Sequence, residues 1–233
     1  MNLSTITARQ PRLDALRGAA MVWMTAYHFC FDLHQFGVLP NADFYWDPRW
    51  TMQRTAIVSL FLLCAGLAQA LGEPAWPRFW RRWLQIVGCA LAVTAGSMWM
   101  FPNSFISFGV LHGMAVMLLL LRVWKPAPIV CLLAGLALVA APQFVQAPFF
   151  DTRWTDWVGL VTHKPVTEDY VPLAPWFGVM LWGYGLGRAW PAALAGELPA
   201  FLRPLAFLGR WSLSYYMLHQ PVMLGLLTLT MRA

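Results

Sequence analysis

Residues 51–72 read TMQRTAIVSLFLLCAGLAQALG, twenty-two positions with a single charge at Arg54. At roughly 1.5 Å per residue, a helix over this run is about 33 Å long, which covers a hydrocarbon core of about 30 Å. Outward from it, the same reading places apolar segments at 15–37, 83–101, 105–122, 127–146, 173–190 and 209–231. Hydrophobic residues make up 59% of the 233-residue chain and charged residues 11%. Ordinary globular chains carry roughly 25% charge, so a water-soluble surface cannot be built from this composition. The expected fold is all-α: a polytopic integral membrane helical bundle of about seven transmembrane helices, forming one domain over residues 1–233 with no internal repeat.

The net charge is +6. The sixteen basic residues lie beside tryptophans between apolar runs and form no continuous stripe, so nucleic acid is not an expected partner, whereas membrane lipids are. With a cytoplasmic N-terminus, the inside collects Arg9, Arg12, Arg17, Arg78, Arg81, Arg82, Arg122, Lys125, Arg188, Arg203 and Arg210. The outside keeps Arg49, Arg54, Arg153, Lys164 and Arg232, and this bias fixes the orientation by the positive-inside rule. The first run carries Arg17, His28 and Asp32 and has no small-residue cleavage pattern after it, so it reads as a retained span and not a cleaved leader. Cys30, Cys64, Cys89 and Cys131 stand singly in apolar segments and read as packing residues. Two connections are longer than links: 147–172, a candidate outer lid, and 191–208, which reads as a broken helix in the interface.

An ionisable side chain costs about 2.5–3.5 kcal/mol at the centre of a spanning helix, so each one calls for a partner, a water cavity or a role. Asp14 and Arg17 are three apart and can pair; Arg17 can instead meet a phosphate. His28 and Asp32 are four apart on one face, an arrangement in which a carboxylate fixes the tautomer of an imidazole and prepares it as a base. By helical rise, His28 and His112 each lie roughly 10–13 Å below the outer ends of their segments and His219 near mid-membrane, where Pro221 should open the helix. Structural readings stand beside these. His219 has Ser212, Tyr215, Tyr216 and Gln220 as ordinary interhelical partners, His34 is interfacial and a reserve candidate, and the Trp-rich stretches are aromatic belts. Arg78, Arg81 and Arg82 serve topology and also offer a cytoplasmic landing site for a polyphosphate. No H-x-x-x-H spacing supports a metal site.

Four motifs stand in order along the chain: DALRG at 14–18 followed by Tyr27-His28, FGVLHG at 108–113, DYVPLAPWFG at 169–178 and SLSYYMLHQP at 212–221. Together they resemble the heparan-alpha-glucosaminide N-acetyltransferase catalytic-domain family of transmembrane acyltransferases, over nearly the whole chain. The resemblance implies an enzyme of a bacterial inner membrane that passes acetyl from cytoplasmic acetyl-CoA to a sugar or similar small acceptor on the outer side. It implies Arg17, Arg78, Arg81 and Arg82 on the CoA side, and His28 as general base or transient acetyl carrier oriented by Asp32. His112, or an N–H near Gly113, would meet the oxyanion. Asp169, Trp176, Tyr216 and His219 would face the acceptor, and a second copy of the chain, in a homodimer, is a further candidate partner. Two other readings compete: a haem protein ligated by His28 and His112, and a proton-coupled transporter using His28, Asp32 and His112 as a relay.

Overall fold

The computed structural model describes residues 10–231; Arg9 and Arg232, counted in the charge bias, lie outside them. Among the described residues the chain is helical, with no β-strand: α1 (Pro11–Gln35), α2 (Pro48–Leu71), α3 (Trp76–Met100), α4 (Val110–Trp124), α5 (Pro128–Phe144), α6 (Leu173–Ala189), α7 (Arg203–Arg210) and α8 (Ser212–Met231). Prolines stand in the first turns of α1, α3, α5 and α7, where the missing N–H costs no helical bond. α4 ends at Lys125 in the left-handed conformation (φ +46°), and Pro126 follows. α2 and α3 are long and apolar enough to cross a membrane, while α4 and α5 are shorter apolar helices. Large apolar side chains are exposed at helical spacing on α3 (Leu84, Leu91, Met98), α5 (Ile129, Leu132, Leu136) and α8 (Leu218, Val222, Leu226, Leu229). Such stripes suit lipid and not water.

Several features differ from the sequence reading, and the largest boundary shift is that α3 starts at Trp76 and not at 83. The segment expected at 105–122 becomes helical only at Val110, because residues 101–109 form an irregular connection. The segment expected at 209–231 is two helices broken at Trp211, and the expected helix break at Pro221 is absent: α8 runs through it. A proline removes one backbone bond, and flanking turns can hold the helix without it. In the segment expected as a broken helix, residues 191–194 and 200–202 form short 3-10 turns and 203–208 belong to α7.

The chain divides into two compact units, one holding residues 62–193 and the other residues 10–61 with 194–231. In the first, α5 and α6 cross through small residues: a Cβ on Gly178 would sit 2.6 Å from the Gly135 carbonyl oxygen, and one on Gly135 would overlap the Trp182 indole nitrogen. Backbone approach of this kind is how helices associate where lipid removes the hydrophobic drive. Trp83 Nε1 donates to the Ala115 carbonyl at 2.8 Å and ties α3 to α4. Arg122 is buried, its guanidinium 4.6 Å from the Trp76 ring centroid, donating to the Pro74 carbonyl at 2.7 Å and 3.6 Å from Glu73. The connection 147–172, expected as a lid, is knitted to 104–108. Glu168 N–H donates to Ser104 O (2.9 Å), Val171 N–H to Phe108 O (3.2 Å), and Arg153 lies 4.0 Å over the Phe105 ring. Two backbone bonds thus tie its end to that stretch.

In the second unit α7 runs antiparallel across the start of α1. A Cβ on Gly18 would overlap the Leu205 carbonyl oxygen, and one on Gly209 would overlap that of Asp14, so the DALRG glycine marks a backbone crossing. Further along α1, Met21, Met24, Tyr27, Phe44 and Ile57 form a buried cluster flanked by Trp50, Tyr215 and Tyr216.

Candidate functional site

α1 carries Thr25, His28 and Asp32 at spacings of three and four, which places them on one face. Each meets α8. Tyr215 Oη lies 2.6 Å from Thr25 Oγ1, His219 Nε2 lies 2.9 Å from His28 Nδ1, and Gln220 Nε2 donates to Asp32 Oδ1 at 2.7 Å. Residue numbers rise together along both helices, so α1 and α8 run parallel. Thr25 gives its one proton to the Met21 carbonyl at 2.8 Å, which makes the Tyr215 hydroxyl the donor of the first rung.

The central rung is in-plane. The two imidazoles are 15° from coplanar with centroids 5.1 Å apart, a separation that one nitrogen-to-nitrogen bond and two ring radii fill, so the rings meet edge to edge and not face to face. His219 Nδ1 in turn lies 2.7 Å from the Tyr216 carbonyl oxygen. His28 is half-buried, and among the described residues its side-chain hydrogen bond is the one to His219, which leaves Nε2 without a partner there. The partner expected for His28, Asp32, is instead held by Gln220; its Oδ2 and Gln220 Oε1 are both buried with no hydrogen bond. Tyr216 contributes its carbonyl, and its ring packs 5.8 Å from that of His219.

At the start of α1, Arg17 Nη1 pairs with Asp14 Oδ1 at 3.3 Å, the local ion pair that the spacing foresees. His34 Nδ1 meets the Leu39 carbonyl at 2.8 Å where α1 ends, an anchoring role. Beyond that end a cavity of about 470 Å³ opens among Val38, Leu39, Asn41, Asp47, Trp50 and Gln53. Arg49 donates to Asp47 at 2.9 Å and holds that carboxyl below its ordinary range. The Trp50 ring lies 5.9 Å from Tyr27, and Tyr27 lies 5.8 Å from His28.

The remaining expected residues belong to the other unit. His112 occupies the first turn of α4, not the depth that a helix from 105 would give it. Its Nδ1 accepts from Gly109 N–H at 3.3 Å, and its Nε2 lies 3.1 Å from Thr94 Oγ1. Thr94 spends its proton on the Ile106 carbonyl at 2.8 Å, so Nε2 carries the hydrogen and both ring nitrogens are engaged. Asp169 Oδ2 accepts from Val110 N–H at 2.7 Å and caps the start of α4, where a carboxylate meets free N–H groups and the positive helix end. Trp176 is half-buried in the first turn of α6. Arg78, Arg81 and Arg82 are exposed on the first two turns of α3, with i, i+3 and i+4 spacing on one face. Sequence reasoning missed three partners, namely His219 for His28, Gln220 for Asp32 and Thr94 for His112. The adjacent polar pair His219-Gln220 in an otherwise apolar α8 was the available signal.

Comparison with characterised proteins returns no match, nor does comparison with solved structures. The family model described as heparan-alpha-glucosaminide N-acetyltransferase, catalytic, matches residues 9–221, a span that includes all the residues of the α1–α8 ladder. The chain therefore belongs to that catalytic family, which makes it an acetyltransferase-type membrane enzyme.

Proposed function

We propose that the chain moves an acetyl group from cytoplasmic acetyl-CoA to the amine or hydroxyl of a sugar or similar small acceptor on the outer side of a bacterial inner membrane. The observation that carries the proposal is His28: an imidazole in an apolar helix, in-plane with His219 at 2.9 Å, one nitrogen held and the other without a partner. A base for acyl transfer needs that arrangement, a fixed ring with a lone pair left over. The acceptor N–H or O–H gives its proton to His28 as its heteroatom bonds to the thioester carbonyl carbon. The C–S bond then breaks, and the CoA thiolate leaves and takes up a proton.

On the donor side this reading takes, in the second unit, Arg17, half-buried and paired with Asp14, and, in the first, Arg78, Arg81 and Arg82, whose exposed guanidinium groups suit the phosphates of CoA. The acceptor side rests on Tyr216 and the cavity at the end of α1, whose volume of about 470 Å³ falls in the range of small-molecule sites; His219, expected there too, has both ring nitrogens taken by His28 and the Tyr216 carbonyl. Asp169 and Trp176 are further acceptor contacts in this reading, and for Asp169 the cap on α4 competes with that role. The proposed topology is a single domain of about seven spans with a cytoplasmic N-terminus. The parallel course of α1 and α8 supports an odd count, since the first and last spans of such a chain run the same way. Both nitrogens of His112 being engaged counts against its service as a haem ligand, a relay member or an oxyanion donor.

The test is transfer of labelled acetyl from acetyl-CoA by purified protein in membranes that contain outer-leaflet glycans. His28→Ala should abolish transfer with the fold kept. Full transfer by that variant would overturn the assignment.

A further inference from the structure

We infer that His219 is the positioning residue that fixes the tautomer of His28, leaving the reactive lone pair of the site on His28 Nε2. The inference rests on the acetyltransferase reading for its catalytic meaning, but its structural content stands on hydrogen-bond directions alone.

The Tyr216 carbonyl oxygen 2.7 Å from His219 Nδ1 can only accept, so His219 Nδ1 carries the hydrogen. A neutral imidazole has one N–H, which makes His219 Nε2 an acceptor. His28 Nδ1, 2.9 Å away and in plane, must then be the donor. A neutral His28 so held is protonated on Nδ1 and bare on Nε2, the nitrogen that no described residue occupies. The order of polar groups is a directed chain: His28 Nδ1–H to His219 Nε2, then His219 Nδ1–H to the Tyr216 carbonyl. In serine hydrolases the same work is done by a buried carboxylate; here a second imidazole anchored on its own helix replaces it. Because Asp32 faces Gln220, it does not compete.

The ladder explains why His219 holds this pose. Tyr215 to Thr25 on one side and Gln220 to Asp32 on the other fix the rotation of α8 against α1, so His219 cannot swing away without breaking a flanking rung. The chain also serves the turnover. When His28 Nε2 takes the acceptor proton, the charge is shared through the Nδ1–H to His219 bond until the proton leaves for the thiolate, and His219 itself neither gains nor loses a net proton.

The experiment is nitrogen-15 NMR of histidine-labelled full-length protein in lipid nanodiscs, with acetyl transfer measured in parallel. Protonated and bare ring nitrogens resonate far apart, so the tautomer of each ring is read directly. His28 should show a protonated Nδ1 and a bare Nε2. His219→Phe should move His28 to the common Nε2–H form and lower kcat about 100-fold or more, with KM for acetyl-CoA unchanged. His219→Gln, whose amide can accept from His28 and donate to the Tyr216 carbonyl, should restore the Nδ1–H form and most of the rate. A wild-type His28 protonated on Nε2, or a tautomer indifferent to His219→Phe, overturns the inference. If the phenylalanine variant does not fold, the wild-type spectrum still decides. The expected tautomers in a protein that transfers no acetyl would leave the positioning standing and remove the acetyltransferase reading instead.

Discussion

Asp32 accepts a hydrogen bond from Gln220 at 2.7 Å through one carboxylate oxygen, while its other oxygen is buried with no partner. Gln220 Oε1 is buried without a donor as well. Two acceptors starved of hydrogen lie at one contact, so an amide at position 32 adds the donor the pair lacks. Asp32→Asn should leave thermal stability unchanged or raised, and should keep acetyl transfer within about tenfold of wild type, because His219 and not Asp32 holds His28. Gln220→Leu removes the only partner of a buried carboxylate and should cost about 1–3 kcal/mol. Thermal melts in detergent and the transfer assay check both. Complete loss of transfer in Asp32→Asn would return Asp32 to the catalytic role its spacing suggests.

That reversal shows what a sequence of this kind makes legible. The helices were legible because hydrocarbon demands long apolar runs, and each of the seven segments contains a helix. His28 was legible for the complementary reason, an ionisable group where none is free of cost. Its partner was not. The i, i+4 rule places His28 and Asp32 on one face but does not say whether they meet each other or a facing helix, and that depends on the rotation of α8, a long-range property. His112 was misjudged because the glycine and serine around 104–109 sit in an apolar surround, so the helix start at Val110 is weakly marked. The cap that Asp169 provides for α4 was not legible, because the two residues of that bond lie fifty-nine positions apart in sequence.

Gly18 is the glycine of the opening motif, and its place against the Leu205 carbonyl gives it a packing role independent of chemistry. Alanine is the better helix former by about 1 kcal/mol, but a methyl group there strikes backbone, which has no rotamer to yield. The clash, of about 1–3 kcal/mol for overpacking, should win. Gly18→Ala and Gly209→Ala should each lower the melting temperature. The double variant should cost less than their sum, since one shift of α7 relieves both. Unchanged melting of both single variants would mean that α7 does not press on α1.

Asp156 sits in the connection 147–172, 1% exposed, with Oδ1 unpartnered among the described residues. Burial raises its pKa above the ordinary carboxylate value, with the nearby Arg153 opposing. A folded-state pKa above the unfolded one means that the fold prefers the protonated acid. The stability this contributes is full below the unfolded pKa and is lost as pH rises through the folded one. Asp156→Asn should therefore raise the melting temperature at pH 7–8 and converge with wild type near pH 4. Limited proteolysis of 147–172 should slow in the same pH window. A gain that persists undiminished into acid would show that the carboxylate charge is not the cause.

Arg78, Arg81 and Arg82 separate the topology reading from the donor-binding one. As topology signals they act during insertion and have no effect on a correctly inserted enzyme. As phosphate contacts they lower the KM for acetyl-CoA through exposed, salt-screened charge, each contributing modestly. Arg78→Gln, Arg81→Gln and Arg82→Gln combined should raise the KM for acetyl-CoA about tenfold at low salt, with kcat kept, and the gap to wild type should narrow as salt is raised. The matching control is acetyl-dephospho-CoA. Losing a phosphate from the donor should cost wild type affinity and cost the triple variant less. Equal losses in the two proteins would place the donor phosphates elsewhere, with Arg17 the next residue to examine.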